Sequence, residues 1–225
     1  MESYLSSNSN AVDEIQKSIY TILRQYGFKK HGRTFHRFVD GDVSQVITFQ
    51  LGQSYLDMNH LLFVNVGIRI PECMTHRFTP EENPKKYYKE YECNIRSRLG
   101  NVEGKEESCY DLHMAIEPIV EDILRQLRDV VLPVFEILSS RESILDHRRE
   151  FPNFDLLNDH LILLEEAMIY GRRGDLKQAE ESFDWYYRLF ASGQLVQKDY
   201  RTIENHLKYL NELAGILGLP IPVMS

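Results

Sequence analysis

The chain has 225 residues, 43% hydrophobic and 27% charged, with 34 acidic against 26 basic side chains and a formal net charge of −8. That is enough chain for a real core, as one large domain or two small ones, and too apolar for a disordered protein. The acidic balance argues against a general nucleic-acid or membrane-surface binder, because both need a basic field.

Three cysteines, Cys73, Cys93 and Cys109, form no CxxC pair and no disulfide framework. An odd, sparse count suits a reducing compartment. The first residues, MESYLSSN, carry neither the basic nor the apolar region of a signal peptide. No apolar run approaches the roughly 18 residues that span a bilayer. Together these features predict a cytoplasmic protein without a membrane segment.

After a Ser/Asn-rich start, Ile15, Ile19, Ile22, Leu23 and Tyr26 recur at helical spacing, and Gly27 ends the helix. Strands are predicted over 33–39 and 43–51, joined by Asp40-Gly41-Asp42, whose Asp-Gly step is a strong hairpin signal. A third strand over 60–70 ends at Pro71. It places Leu62, Val64, Val66, Ile68 and Ile70 on one face and Phe63, Asn65, Gly67 and Arg69 on the other. A mixed loop over 72–89 leads to a fourth strand over 90–99, where Cys93, Ile95, Ser97 and Leu99 oppose Glu92, Asn94, Arg96 and Arg98. A turn follows over 101–108.

Beyond Tyr110 the period changes from 2 to 3.6. Ile116, Ile119, Val120, Ile123, Leu124 and Leu127 make an apolar stripe that Val130, Val131, Val134, Phe135 and Leu138 continue. Pro133 should kink or restart this helix, because it has no N–H to donate. Residues 141–150 are charged, Pro152-Asn153 breaks the pattern, and helices are expected over about 155–173, 175–191 and 198–217. The fold class is α+β: an N-terminal helix, a mostly antiparallel four-stranded sheet, a long kinked helix and a C-terminal helical region. The natural division is an α+β domain over 1–135 and a helical extension over 136–225.

Four short motifs in order carry a family resemblance: GFKKHGRTFHR at Gly27–Arg37, VITFQ at Val46–Gln50, FVNVG at Phe63–Gly67, and C-x-I-R-x-R-L-G at Cys93–Gly100. Over residues 12–135 the chain resembles the bacterial family called domain of unknown function 4304. The resemblance implies a shared fold and brings no reaction with it. Gln50, Asn65, Gly67, Cys93, Arg96, Arg98 and Gly100 occupy positions typical of that family, whereas His36 stands where an aromatic is more usual. A second resemblance, near 161–190, is to a single tetratricopeptide-like helical hairpin. There Ala167, Tyr170, Ala179 and Phe183 fall at repeat-like spacing around Gly174-Asp175. A lone unit cannot bury its own apolar face. It either packs on the sheet domain or in a homodimer, or it offers a peptide-binding surface.

The polar sheet face holds the candidate site. Strand alternation sets Arg96 and Arg98 on one side, with Asn65 and, register permitting, Gln50. Two arginines at i, i+2 suit a carboxylate or phosphate. The alternative is a solvated face with the arginines paired to Glu92 and other acids. The basic turn at Lys29, Lys30, His31 and Arg33 is read as a solvated junction sealed by Phe28 and Phe35, not as a nucleic-acid contact. The histidines are scattered without HExxH, HxH or a Cys/His cluster, so no metal site and no cofactor are expected. Cys93 sits on the apolar face of its strand and reads as a small buried hydrophobe. No nucleophile elbow, P-loop or dinucleotide fingerprint occurs.

The absent motifs point to a non-enzymatic binding or protein-interaction module with no catalytic residues. Its partner would be another protein, with an immunity-like role by analogy alone. The alternative is an enzyme or small-ligand binder for an anionic substrate, held by Arg96 and Arg98 on the polar face with His36 as acid or base.

Overall fold

The computed structural model describes residues 2–53, 58–73, 85–104, 109–154, 161–193 and 203–222. Most of the loop expected over 72–89, residues 105–108 of the expected turn, and the first residues of the helices expected from 155 and 198 lie outside these. The chain divides into two compact units: Met1–Ile70 with Asn83–Leu157, and Pro71–Glu82 with Asn158–Ser225.

In the first unit, helix α1 (Glu2–Leu23) opens the chain and a 3-10 turn over Arg24–Tyr26 ends it. Gly27 follows at φ 80°, a left-handed position that a side chain would strain. The chain then enters an antiparallel sheet: β1 (Lys29–His31), β2 (Thr34–Val39), β3 (Val43–Leu51), β4 (Leu61–Arg69) and β5 (Ile95–Arg98), in that spatial order. A short β6 (Tyr110–Asp111) pairs with the start of β4. The four expected strands are therefore present, with β1 and β6 added at the margins. The fourth strand is shorter than its alternation suggested, because Glu90–Glu92 winds into a 3-10 turn capped by the Glu92 carboxylate on the Lys89 N–H.

Each face of the sheet has a different cover. Phe35, Ile47, Phe49, Val64, Val66, Ile68 and Ile95 point to the helices and are buried. The α1 stripe Val12, Ile15, Ile19 and Leu23 is fully excluded from solvent, and Tyr20 stacks on Phe35 with ring centroids 5.6 Å apart. Each such buried side chain contributes about 1.5–3 kcal/mol of gross transfer free energy, before conformational entropy is set against it.

The helix expected to bend at Pro133 does so by restarting. Helix α2 (Leu99–Val102) is a single turn; α3 (Ile116–Gln126) widens into a π turn over Leu127–Val131 and resumes as α4 (Leu132–Ile137), with the proline in its first turn. The chain stays helical through the junction, and the π turn directly before the proline is where the regular hydrogen-bond ladder gives way. Buried Gln45 ties the end of α4 to β3, its amide donating to the carbonyls of Phe135 at 2.5 Å and Leu138 at 3.3 Å. Helix α5 (Arg141–His147) is pinned to the β2–β3 turn by Arg141, which reaches Asp42 at 2.6 Å and Asp40 at 3.2 Å.

Among the described residues, 85–94 fold back over the other face of the sheet, placing Tyr88 and Cys93 on Val46 and standing the Arg69 guanidinium 3.9 Å above the Tyr88 ring. Cys93 thus lies on the polar face and not on the apolar one that alternation gave it, because β5 begins only at Ile95. Gly67 makes this approach geometrically feasible: a Cβ there would sit 2.8 Å from Cys93 Cβ and 2.9 Å from its sulfur. Burial pushes the Cys93 thiol well above its ordinary range. His36 lies under the same cover, against the rings of Tyr87 and Phe38. Desolvation, then the charges of Lys29 and His31, lower its pKa from 6.5, and a hydrogen bond with the Lys86 backbone opposes them.

The second unit is helical. A hairpin of α6 (Ile162–Arg173) and α7 (Leu176–Ala191) turns at Gly174, and the Asp175 side chain accepts from the Gln178 N–H at 3.4 Å. Ala167 and Ala179 are fully buried with Phe183, so small residues set the helix spacing as expected. Helix α8 (Ile203–Leu217) brings Leu217 onto Gly171 and His206 to the Tyr186 hydroxyl at 3.0 Å.

Two consequences can be measured. Gly67→Ala should lower unfolding free energy by about 1–3 kcal/mol in denaturant titrations, although alanine ordinarily suits a strand better than glycine; an unchanged midpoint would contradict the Cys93 contact. For His36, the unfolded chain binds the proton more readily, so the stability present above pH 6.5 is lost as pH falls below it. His36→Phe should flatten that part of the stability profile, and an unaltered slope would show that His36 does not contribute to it.

Candidate functional site

Among the described residues, the polar face of the sheet beyond the reach of 85–94 carries a cleft. Gln50, Gly52, Gln53, Met58, Leu61, Phe63, Arg98 and Cys109 line a cleft of about 320 Å³ there. Two strand registers assemble it: Gln50 opposite Phe63 across β3 and β4, and Asn65 opposite Arg98 across β4 and β5. Since successive strand residues alternate in direction, Phe63, Asn65 and Arg98 must share a side once these pairs form.

The arrangement is ordered by polar contacts. Asn65, 5% exposed, donates its amide to Gln50 Oε1 at 2.9 Å. With its oxygen engaged, the exposed Gln50 amide is left to present its nitrogen as the donating end. The Arg98 guanidinium carbon lies 4.4 Å from the Phe63 ring centroid, so the aromatic face supports the cation. Leu61, Met58 and Phe63 supply apolar walls. Cys109 brings an exposed thiol, whereas Cys73 and Cys93 are buried.

Arg96 stands two residues before Arg98, opposite Gly67. Its charge acts first on Glu90, whose carboxyl is raised by burial and pulled back by Arg96 and, more weakly, by Arg98.

Of the five residues expected at the site, the fold brings Gln50, Asn65 and Arg98 together. Arg96 shares their face but stands with Glu90 and is not among the residues lining the cleft. His36 lies on β2 beneath Tyr87, in the covered half, and takes no part in the cleft. Phe63 could have been found from its alternation with Asn65. Glu90, Met58 and Cys109 depend on loop paths that periodicity does not encode.

β6 is held beside the cleft by a partly buried network. The Tyr110 hydroxyl donates to Asp122 Oδ2 at 2.8 Å and accepts from Gln126 at 2.9 Å, while Arg125 joins Asp122 to Glu103. Burial and the Asp122 carboxylate raise the Tyr110 pKa, so the hydroxyl remains a donor.

Among the described residues, no helix is long and apolar enough to cross a membrane. No curated protein and no solved structure matches the chain. One family does, over residues 19–137, which is more than half of the sequence and contains the four motifs and every strand of the sheet. The chain belongs to the family described as domain of unknown function (DUF4304).

Proposed function

We propose that the protein is a non-enzymatic binding module whose cleft seats an anionic group, a carboxylate foremost, on Arg98. The observation that carries this reading is that Arg98 and Gln50 line one cleft with Phe63, Gln50 being held by the Asn65 amide. A guanidinium edge matches a carboxylate through two parallel hydrogen bonds, and the Gln50 amide adds a third donor. The apolar walls favour a ligand with a flat or aliphatic body attached to its anion. The volume lies at the low end of small-molecule sites, which suits a small carboxylate or a single acidic side chain of a partner. Donors and apolar surface are what the lining supplies, and His36, the acid–base candidate, stands apart from it.

The net charge of −8 supports a second reading, in which an acidic surface meets a basic protein partner, as an immunity protein would meet a toxin. The two readings call for opposite charges. A basic partner has no use for Arg98, whereas an anionic ligand depends on it. Neither reading involves nucleic acid or a membrane surface. A bacterial cytoplasmic setting fits three free cysteines.

Cys109 offers a direct assay, since it lines the cleft and is the exposed thiol of the three. Labelling by an aromatic disulfide reagent should slow in millimolar benzoate or succinate and less in inorganic phosphate. Arg98→Ala should weaken that protection about tenfold or more, the usual worth of a charge-assisted hydrogen bond. Equal labelling rates with and without the carboxylates, or equal protection of Arg98→Ala, would sink the reading. Retention of a basic co-purifying protein by Arg98→Ala would favour the second.

A further inference from the structure

The pairing of β6 with β4 brings together three side chains that are far apart in sequence. His60 immediately precedes β4, Asp111 ends β6, and His113 lies in the turn that follows. One nitrogen from each imidazole and one carboxylate oxygen of Asp111 lie within 4.8 Å of one another. The two rings stand nearly parallel, 13° apart, with centroids separated by 4.8 Å. From this geometry we infer a binding site for a late first-row divalent transition ion, Zn²⁺ foremost, with His60, Asp111 and His113 as ligands.

The backbone around these residues is fixed. Leu112 donates to the His60 carbonyl at 2.9 Å, joining the two segments that carry the histidines. Met114 donates to the Asp111 carbonyl at 3.0 Å and closes the turn. Asp111 Oδ1 accepts the His113 backbone N–H at 2.9 Å and lies 3.2 Å from the His113 ring nitrogen Nδ1. Behind them, the Tyr110–Asp122–Gln126 network anchors β6 to α3. The Cα positions are thus set by hydrogen bonds that a metal need not disturb.

The side chains keep freedom to close. His60 and Asp111 are half-buried and His113 is exposed. Tetrahedral coordination at 2.0–2.1 Å needs ligand atoms about 3.3 Å apart, which the exposed imidazole reaches by rotating about its χ angles. Two neutral imidazoles and one carboxylate are the ligand set that suits Zn²⁺, Ni²⁺, Co²⁺ or Cu²⁺, while Mg²⁺ and Ca²⁺ prefer oxygen throughout. Water completes the coordination. Bound there, the ion would pin β6 to the start of β4, next to Leu61 and Cys109 of the cleft wall. The inference stands on this cluster and not on the anion-binding reading.

The test is titration of the full chain with Zn²⁺ against a chromophoric chelator, alongside thermal melts. One equivalent should bind and raise the melting temperature. His60→Ala and His113→Ala should each weaken binding about tenfold or more and abolish the rise, with circular dichroism confirming the fold. His147→Ala, which removes an exposed histidine paired with Glu150 on α5, should bind as the parent does. Asp111→Asn preserves the shape of the turn and should weaken binding as well. This variant decides the matter if a histidine variant misfolds. Absence of a bound equivalent at micromolar Zn²⁺, or unchanged affinity in the Asp111 and histidine variants, would overturn the assignment.

Discussion

The close contact between Gly67 and Cys93 is the constraint on which the rest of the first unit depends. A strand residue without a side chain lets residues 85–94 descend onto the polar face of the sheet, where Tyr88 and Cys93 cover Val46 and Arg69. An ordinary Cβ would hold that segment off. The cover buries His36 and the Cys93 thiol, and each responds as desolvation requires: the imidazole resists its proton and the thiol retains one. It also ends before Phe63 and Gln50. Among the described residues, the cleft lies beyond the reach of 85–94.

The result is a cationic recess on an acidic protein. Arg96 and Arg98 arise from one strand, yet their surroundings divide their roles. Arg96 stands with the partly buried Glu90, and Arg98 is supported by an aromatic ring at the cleft. The negative field of the whole chain disfavours indiscriminate anion binding. A ligand must therefore gain from apolar contact as well as from charge, which is a route to selectivity for anions carrying a hydrophobic body.

Much of this was legible in the residues. Period-2 alternation in β4 assigned both faces correctly, Asp40-Gly41 marked the hairpin, and Gly174 marked the helical turn, because each rule acts over a few neighbouring positions. Asn65 and Arg98 could be placed on one side by alternation alone. Local rules do not reach the path of a loop. His36 sits on the polar face, but the segment that buries it arrives from 50 residues further along. Arg96 was equivalent to Arg98 by alternation, and only the 3-10 turn at Glu90–Glu92 sets a carboxylate near it. The scattered histidines concealed His60 and His113 for the same reason, since a two-residue strand with no periodicity of its own brings them together.

If ligand binds in the cleft lined by Gln50, Phe63 and Arg98, those residues respond to it and the covered part of the face does not. Backbone and side-chain NMR chemical shifts, followed while an aromatic carboxylate is titrated into the full chain, address this residue by residue. The perturbations should centre on Gln50, Phe63, Asn65, Arg98 and Cys109, leaving His36, Tyr88 and the α6–α7 hairpin unmoved. Shifts centred on the helical hairpin or on the covered half, with the Arg98 side-chain signals unchanged, would contradict it.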